Sequence, residues 1–288
     1  MPTFDTPAPI RATVELIVGD LRIAATDRTN TVVEVRPSDP GAALDVRAAE
    51  QTRVEFTGGE LLVKTPKTLK TLGILRKTGS VDVEIHLPTG SQVRGEAAVA
   101  AFRCTGSLGE VRLRTATGDV EVEDAATLTV STAGGAIVAR SVTGDAHATT
   151  ATGTIRLGTV GGTVTLKNSN GDSVVGSVGG TLRAKAANGD VMVGQARGDV
   201  DAATANGSIR IGAAHQGSVA VRTAAGELEV GIARGTAVYL DLHTQFGKVL
   251  NQLDATAGPE PGEHNVQVRA RTSFGNIIVR RGDNEEDR

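Results

Sequence analysis

The stretch "TANGSIRIGAAHQGSVAVRTAAGELEVG" (Thr204–Gly231) decides the architecture. Three glycines punctuate it: Gly207, Gly217 and Gly226. After each, the second and fourth residues are apolar: Ile209 and Ile211, Val219 and Val221, Leu228 and Val230. The residues between them are mostly polar. Alternation over five residues, rich in β-branched side chains, reads as a strand with one buried face. Glycine, and to a lesser degree asparagine, tolerates positive φ, so the Gly and Asn-Gly positions read as corners.

The figure recurs along the chain. Blocks such as "RTATG" (114–118), "KNSNG" (167–171), "KAANG" (185–189) and "RTSFG" (271–275) end on glycines at 118, 135, 153, 171, 189, 207, 226, 247 and 275. A second series (Gly144, Gly162, Gly180, Gly198, Gly217, Gly235) falls nine or ten residues after members of the first. The unit is therefore about 18 residues in two nine-residue halves.

Two all-β architectures fit. In an antiparallel β-meander each nine-residue unit reverses, and Asn-Gly is a strong hairpin signal. In a parallel β-solenoid each 18-residue unit is one coil, with equivalent strands stacked about 4.8 Å apart. The solenoid is preferred, and the meander is the alternative. No helical segment is visible to cover a meander's apolar face, whereas a solenoid buries it against its own opposite wall. Asn170, Asn188 and Asn206 recur at the same corner every 18 residues and would stack as a ladder. Inward Ala148, Ala184 and Ala202 imply closely approaching walls. Right-handed winding follows the general crossover preference.

We read the chain as a single β-solenoid domain over 1–288. Residues 1–57 are irregular N-terminal cap strands, and 58–250 are coils. A basic insertion at 66–79 interrupts the coils. Residues 251–264 are a loop, 265–280 the last strands and C-terminal cap, and 281–288 a charged tail. "PSDPGAA" (37–43) reads as a loop.

Composition narrows the function. The net charge of −3 lacks the basic excess of a nucleic-acid binder, so no nucleic-acid partner is expected. There are 36 glycines, no tryptophan and one tyrosine, so the core must be built from Val, Ile, Leu and Ala. Cys104 is the lone cysteine, which fits a reducing compartment. The N-terminus lacks the pattern of a secretory signal, and "AAVAAF" (97–102) is too short for a transmembrane segment. The expected localisation is cytoplasmic.

Candidate chemistry is sparse. Asp119, Asp145, Asp172, Asp190 and Asp199 directly follow repeat glycines, as in calcium-binding β-rolls. Sister coils carry Thr154, Ser208, Glu227, Lys248 or Asn276 there, and a calcium ladder needs oxygen ligands on every turn. Calcium is not expected, and these aspartates read as solvated turn residues. The five histidines show no metal spacing. A lyase-like reading would use Asp199 and Asp201, or Arg156, Arg183 and Arg210, but carbohydrate clefts usually carry aromatics. No catalytic residue, cofactor or metal is assigned, and no enzyme is expected.

Two places could meet a partner. The insertion combines Lys67, Lys70, Arg76 and Lys77 with Leu72, Ile74 and Leu75. Phe246 and Phe274 stand just before corner glycines, where sister coils have Asn or Thr. They read first as a cap over the last coil, and otherwise as an exposed partner site. Arg281-Gly282-Asp283 spells a cell-adhesion tripeptide, read as chance.

Taken together, residues 1–40, "GEAAVAAFRCTGSLGEVRLRTATGDVEV" (95–122), "KNSNGD" (167–172) and "VQVRARTSFGNIIVR" (266–280) resemble a family. It comprises actinobacterial β-strand-repeat proteins of unknown function, labelled "putative adhesin". The resemblance implies a β-helix-like repeat domain and brings no catalytic residues. The expected function is a non-enzymatic scaffold or protein-interaction module, adhesin-like by fold only, acting on an unknown protein partner or on itself. The alternatives are a self-assembling, bactofilin-like filament and a carbohydrate-binding or lyase-like β-helix.

Overall fold

A computed structural model describes residues 1–66, 78–253 and 265–282. The chain is all-β and divides into two compact units, Met1–Arg140 and Ser141–Arg288.

In the first unit the elements are β1 (Thr3–Asp5), β2 (Arg11–Glu15), β3 (Gly19–Thr26), β4 (Asn30–Pro37), α1 (Ala43–Gln51), β5 (Arg53–Thr57), β6 (Glu60–Lys64), β7 (Val81–Pro88), β8 (Gln92–Val99), β9 (Phe102–Thr117) and β10 (Val120–Gly134). β11 (Ile137–Val142) follows at the division. The long β9 makes a whole coil. Its first part pairs with β3 (Leu21↔Phe102) and its second with β8 (Val93↔Val111), both parallel. β10 stacks on both parts in turn, from Val120↔Phe102 to Gly134↔Thr117.

The N-terminal strands do not sit where chain order puts them. β2 pairs with both β6 and β8, and β3 with both β7 and β9, so both lie inside the stack. The cap read over the whole of 1–57 thus reduces to β1, β4 and β5, which run antiparallel to β4, β7 and β6. The β5–β6 hairpin turns at Gly58 and Gly59, both at positive φ as a type I′ turn requires. Helix α1 corrects the reading that no helical segment exists. Its nine residues bury none of their side chains, so no apolar periodicity announced it. It is anchored by Asp45, whose carboxylate accepts the backbone N–H groups of Ser80 (2.9 Å) and Asp39 (3.1 Å).

The second unit contains β12 (Ala146–Thr152), β13 (Ile155–Val160), β14 (Val164–Asn170), β15 (Ser173–Val178), β16 (Leu182–Asn188), β17 (Val191–Ala196), β18 (Val200–Asn206), β19 (Ile209–Ala214), β20 (Gly217–Ala225), β21 (Leu228–Ile232), β22 (Ala237–Phe246), β23 (Val249–Asn251), β24 (Asn265–Phe274) and β25 (Ile277–Arg281). Strands one coil apart pair in parallel: Val164↔Leu182↔Val200↔Val219 in one column, Ile155↔Ser173↔Val191↔Ile209 in the other. This is the parallel solenoid, not the meander. The inward residues of both columns are almost wholly buried.

Gly207 and Gly180, one from each series, are glycine for different reasons. Gly207 lies at φ +143, and a Cβ there would stand 2.1 Å from the Gly189 carbonyl oxygen of the coil beneath. It needs glycine twice over. In the second series Gly180 has no such φ, yet its Cβ would meet Gly162 backbone at 2.9 Å. Close coil-on-coil approach, not positive φ, explains that glycine.

The last coil also departs from chain order. β24 pairs with β20 on one side and β22 on the other, and β25 lies between β21 and β23 in the same way. Residues 265–281 are therefore inserted, and 237–251 form the outermost coil of the unit. The reading of 265–280 as the cap is corrected accordingly.

Candidate functional site

Among the described residues, the outermost coil, β22 with β23, carries the largest group of exposed apolar side chains; Met1, Leu44, Val99 and Val138 are exposed elsewhere. On the neighbouring β24 and β25, inward Val266, Val268, Ala270, Ile277 and Val279 are at most 1% exposed. Their partners in register, Val238, Leu240 and Leu242, are only half-buried, and Val249 is 44% exposed. The same strands carry outward Tyr239 (66% exposed) and Leu250.

Phe246 and Phe274 are adjacent in the β22–β24 register. Their rings stack with centroids 5.0 Å apart and planes 9° from parallel, yet they are 65% and 58% exposed. The pair is thus mostly exposed and covers little of the coil beside it. Asp241, also on β22, is held by Arg271 (2.7 Å) and Arg269 (3.4 Å) of β24. The single carboxylate is thus paired with two guanidinium groups, leaving a net positive charge there.

The other sequence-derived candidates are dispersed. Lys67, Lys70, Leu72, Ile74, Leu75, Arg76 and Lys77 lie outside the described residues. Arg156 and Arg210 share a column, but Val174 and Met192 separate them. Asp201 faces Arg222 at 3.6 Å. Arg281 donates to the carbonyls of Ala233 (3.2 Å) and Thr236 (3.0 Å), a structural role for the first residue of the adhesion-like tripeptide. Cys104 is buried, and burial pushes its thiol up to about 12, which removes thiolate chemistry at neutral pH.

The post-glycine aspartates do more than sit in solvent. Each accepts at Oδ1 from a backbone N–H one coil up: Asp119 from Ala136 (2.7 Å), Asp145 from Thr163 (2.7 Å), Asp172 from Asp190 (2.9 Å), Asp190 from Ser208 (2.8 Å) and Asp199 from Ser218 (2.8 Å). Ser208 and Asn276 replace them in kind, bonding Glu227 and Lys248. The replacements are the clue that sequence reading passed over. Asp, Ser and Asn share hydrogen-bond acceptance, not cation ligation. The asparagine ladder is present as read, Asn206 to Asn188 and Asn188 to Asn170, each 2.9 Å.

Among the described residues no three His, Cys, Asp or Glu side chains cluster as metal ligands, and no helix is long and apolar enough to cross a membrane.

Comparison with known proteins gives a family but no activity. The model of the Toastrack DUF4097 family matches residues 19–279. A comparison with curated proteins finds no match. Among solved structures, a "putative adhesin" from Parabacteroides merdae is 13% identical (TM-score 0.35), covering 96% of this chain and 94% of its own. Another "putative adhesin", from Bacteroides fragilis, is 10% identical (TM-score 0.33), covering 96% and 95%. A "putative lipid binding protein" from Parabacteroides distasonis is 12% identical (TM-score 0.39), covering 96% and 95%.

Proposed function

The chain belongs to the Toastrack DUF4097 family, and from that premise we propose a non-enzymatic scaffold that makes protein contacts through the outermost coil of its second unit. The observation that carries this reading is the Phe246–Phe274 pair, stacked and mostly exposed in a chain with only five phenylalanines. Exposed aromatics on a rigid strand pair are suited to contact. They lose little side-chain entropy on binding and bury a large area. Hydrogen-bonded coils fix their position, so a partner would meet a preorganised surface.

A cytoplasmic setting belongs to the same proposal. It is supported by a single cysteine, in keeping with a chain that draws no stability from disulfides.

The test is a photo-crosslinking amino acid placed at position 246 in cells, followed by fractionation. A discrete protein adduct in the cytosolic fraction is expected. Phe274→Ser should reduce its yield at least fivefold. Adducts only to glycan or lipid, or none, would overturn the contact reading. An adduct recovered only outside the cytosol would overturn the compartment.

A further inference from the structure

We infer that the outer edge of β22 pairs with the same edge of a second copy of this chain, forming a two-fold dimer. The inference rests on the reading of this coil as the contact surface and names its occupant.

β22 spans ten residues and, among the described residues, pairs on one side only, with β24. A sheet edge of this length normally carries a charge, a proline or a bulge that blocks further pairing. β22 has one charge, Asp241, already held by Arg269 and Arg271. Its inward row, Val238, Leu240 and Leu242, waits for a cover. The chain that follows, "DATAGPEPGEH" (254–264), contains no Val, Ile, Leu or aromatic residue to supply one.

A second β22 supplies it. Antiparallel pairing about a two-fold axis through Leu240 sets Leu240 against its counterpart and Val238 against Leu242. Tyr239 then meets Asp241. Every inward residue stays inward because side chains alternate with period two. The added strand extends the ladder by which each coil already holds the next. Such an interface is isologous and closes at two copies.

Head-to-tail growth would need an equally open edge elsewhere. The first unit has two outer strands among the described residues: β1 is only three residues long, and β5 is five residues long and carries Arg53 and Glu55 as an exposed ion pair at 3.3 Å. That is the kind of edge that resists addition. The geometry therefore favours a dimer over the filament.

Sedimentation equilibrium of the full chain, with circular dichroism on every variant, tests this. The wild type should be a concentration-dependent dimer, Leu240→Lys should weaken it at least tenfold, and Leu240→Met should leave it intact. Hydrogen exchange on the wild type gives a readout that needs no variant: the alternate amides of 237–246 that face away from β24 should gain at least tenfold protection in the dimer. A folded wild type that stays monomeric, a dimer indifferent to Leu240→Lys, or no added protection at 237–246 would overturn the pairing. So would open-ended polymers lost on Phe56→Lys in β5. A monomer that still gives a crosslink from position 246 to a different protein would leave the contact reading standing and remove the dimer alone.

Discussion

At the residue scale, the corners are set by hydrogen bonds that recur coil after coil. Three positions before each first-series glycine stands a buried threonine in most coils. Thr204 donates to Gly189 O (3.2 Å), Thr223 to Gly207 O (2.9 Å), Thr272 to Gly226 O (3.2 Å) and Thr244 to Gly275 O (2.9 Å). The blocks "RTATG", "TTATG", "ATANG" and "RTAAG" display this threonine, though Thr115 and Thr150 donate within their own blocks, to Thr117 O (2.9 Å) and Thr152 O (3.3 Å); alternation alone gives no reason to single it out. Two coils lack it: Asn168 stands at the threonine position in one, and Ala186, which has no donor, in the next. The carbonyl it would have served, Gly171 O, instead accepts from Asn168 Nδ2 at 2.8 Å, which also reaches Gly153 O at 3.0 Å. Asn168 thus does the work of two coils, and its Oδ1 remains buried without a partner. Asn168→Thr should cost about 1 kcal/mol, because Gly171 O loses its donor. Ala186→Thr should recover that loss in the double variant. The double variant should equal or exceed the wild type, since the orphaned Oδ1 is gone. Urea unfolding of the four proteins closes the cycle. Strictly additive effects would show that the two positions do not share a carbonyl.

At the element scale, period-two alternation and glycine spacing made strand positions, facing and parallel stacking legible before any coordinates. Strand order was not. β2 and β3 lie between strands that follow them in sequence, and β24 and β25 lie between β20–β21 and β22–β23. The local pattern of a strand is the same wherever it is inserted, so no spacing rule reveals it. The exposed end was hidden for the same reason, because Val238, Leu240 and Leu242 look like any inward row. What binds the inserted coil is more specific. Glu229 of β21 accepts from Arg210 of β19 (2.5 Å) and from Arg280 of β25 (2.6 Å), joining three successive coils. Burial alone would raise its carboxyl pKa. Hydrogen bonds from Arg280 and Arg210, with their charges, outweigh burial and hold it below the ordinary 4.5. A carboxyl lowered by folding contributes stability that is full above its unfolded value and is lost as pH falls through and below about 4.5. Glu229→Gln should therefore lower stability at pH 7 by about 1–2 kcal/mol. It should also flatten the decline between pH 5 and 3, read as Tm against pH in both proteins. Parallel curves for variant and wild type would contradict the three-coil tie.

At the scale of the whole molecule, repeat architecture makes stability close to a sum over coils and their interfaces. In the second unit this predicts that length can change by whole coils and not by halves. Deleting Asp172–Gly189 removes 18 residues and joins Gly171 to Asp190, preserving a glycine followed by an aspartate. β17 would then stack on β13, setting Val191 over Ile155 and Val193 over Leu157, and β18 on β14, with Asn206 over Asn170. Thr204 would gain Gly171 O as its acceptor, beside the Asn168 Nδ2 that already donates to it. Deleting only Asp172–Gly180 removes one nine-residue half and sends β16 into the column of β13. Every later strand then changes wall. Asn188 and Asn206 leave the ladder, and the positive-φ Gly189 falls at the Gly180 corner, which is built for close approach alone. The 18-residue deletion should keep one cooperative melt and a Tm within about 10 °C of the wild type, since it removes a single repeat and a single interface. The nine-residue deletion should lose cooperative melting by circular dichroism, although it removes less of the chain. Equal tolerance of both would mean that the two halves are interchangeable walls and that the corner chemistry separating them carries no structural weight.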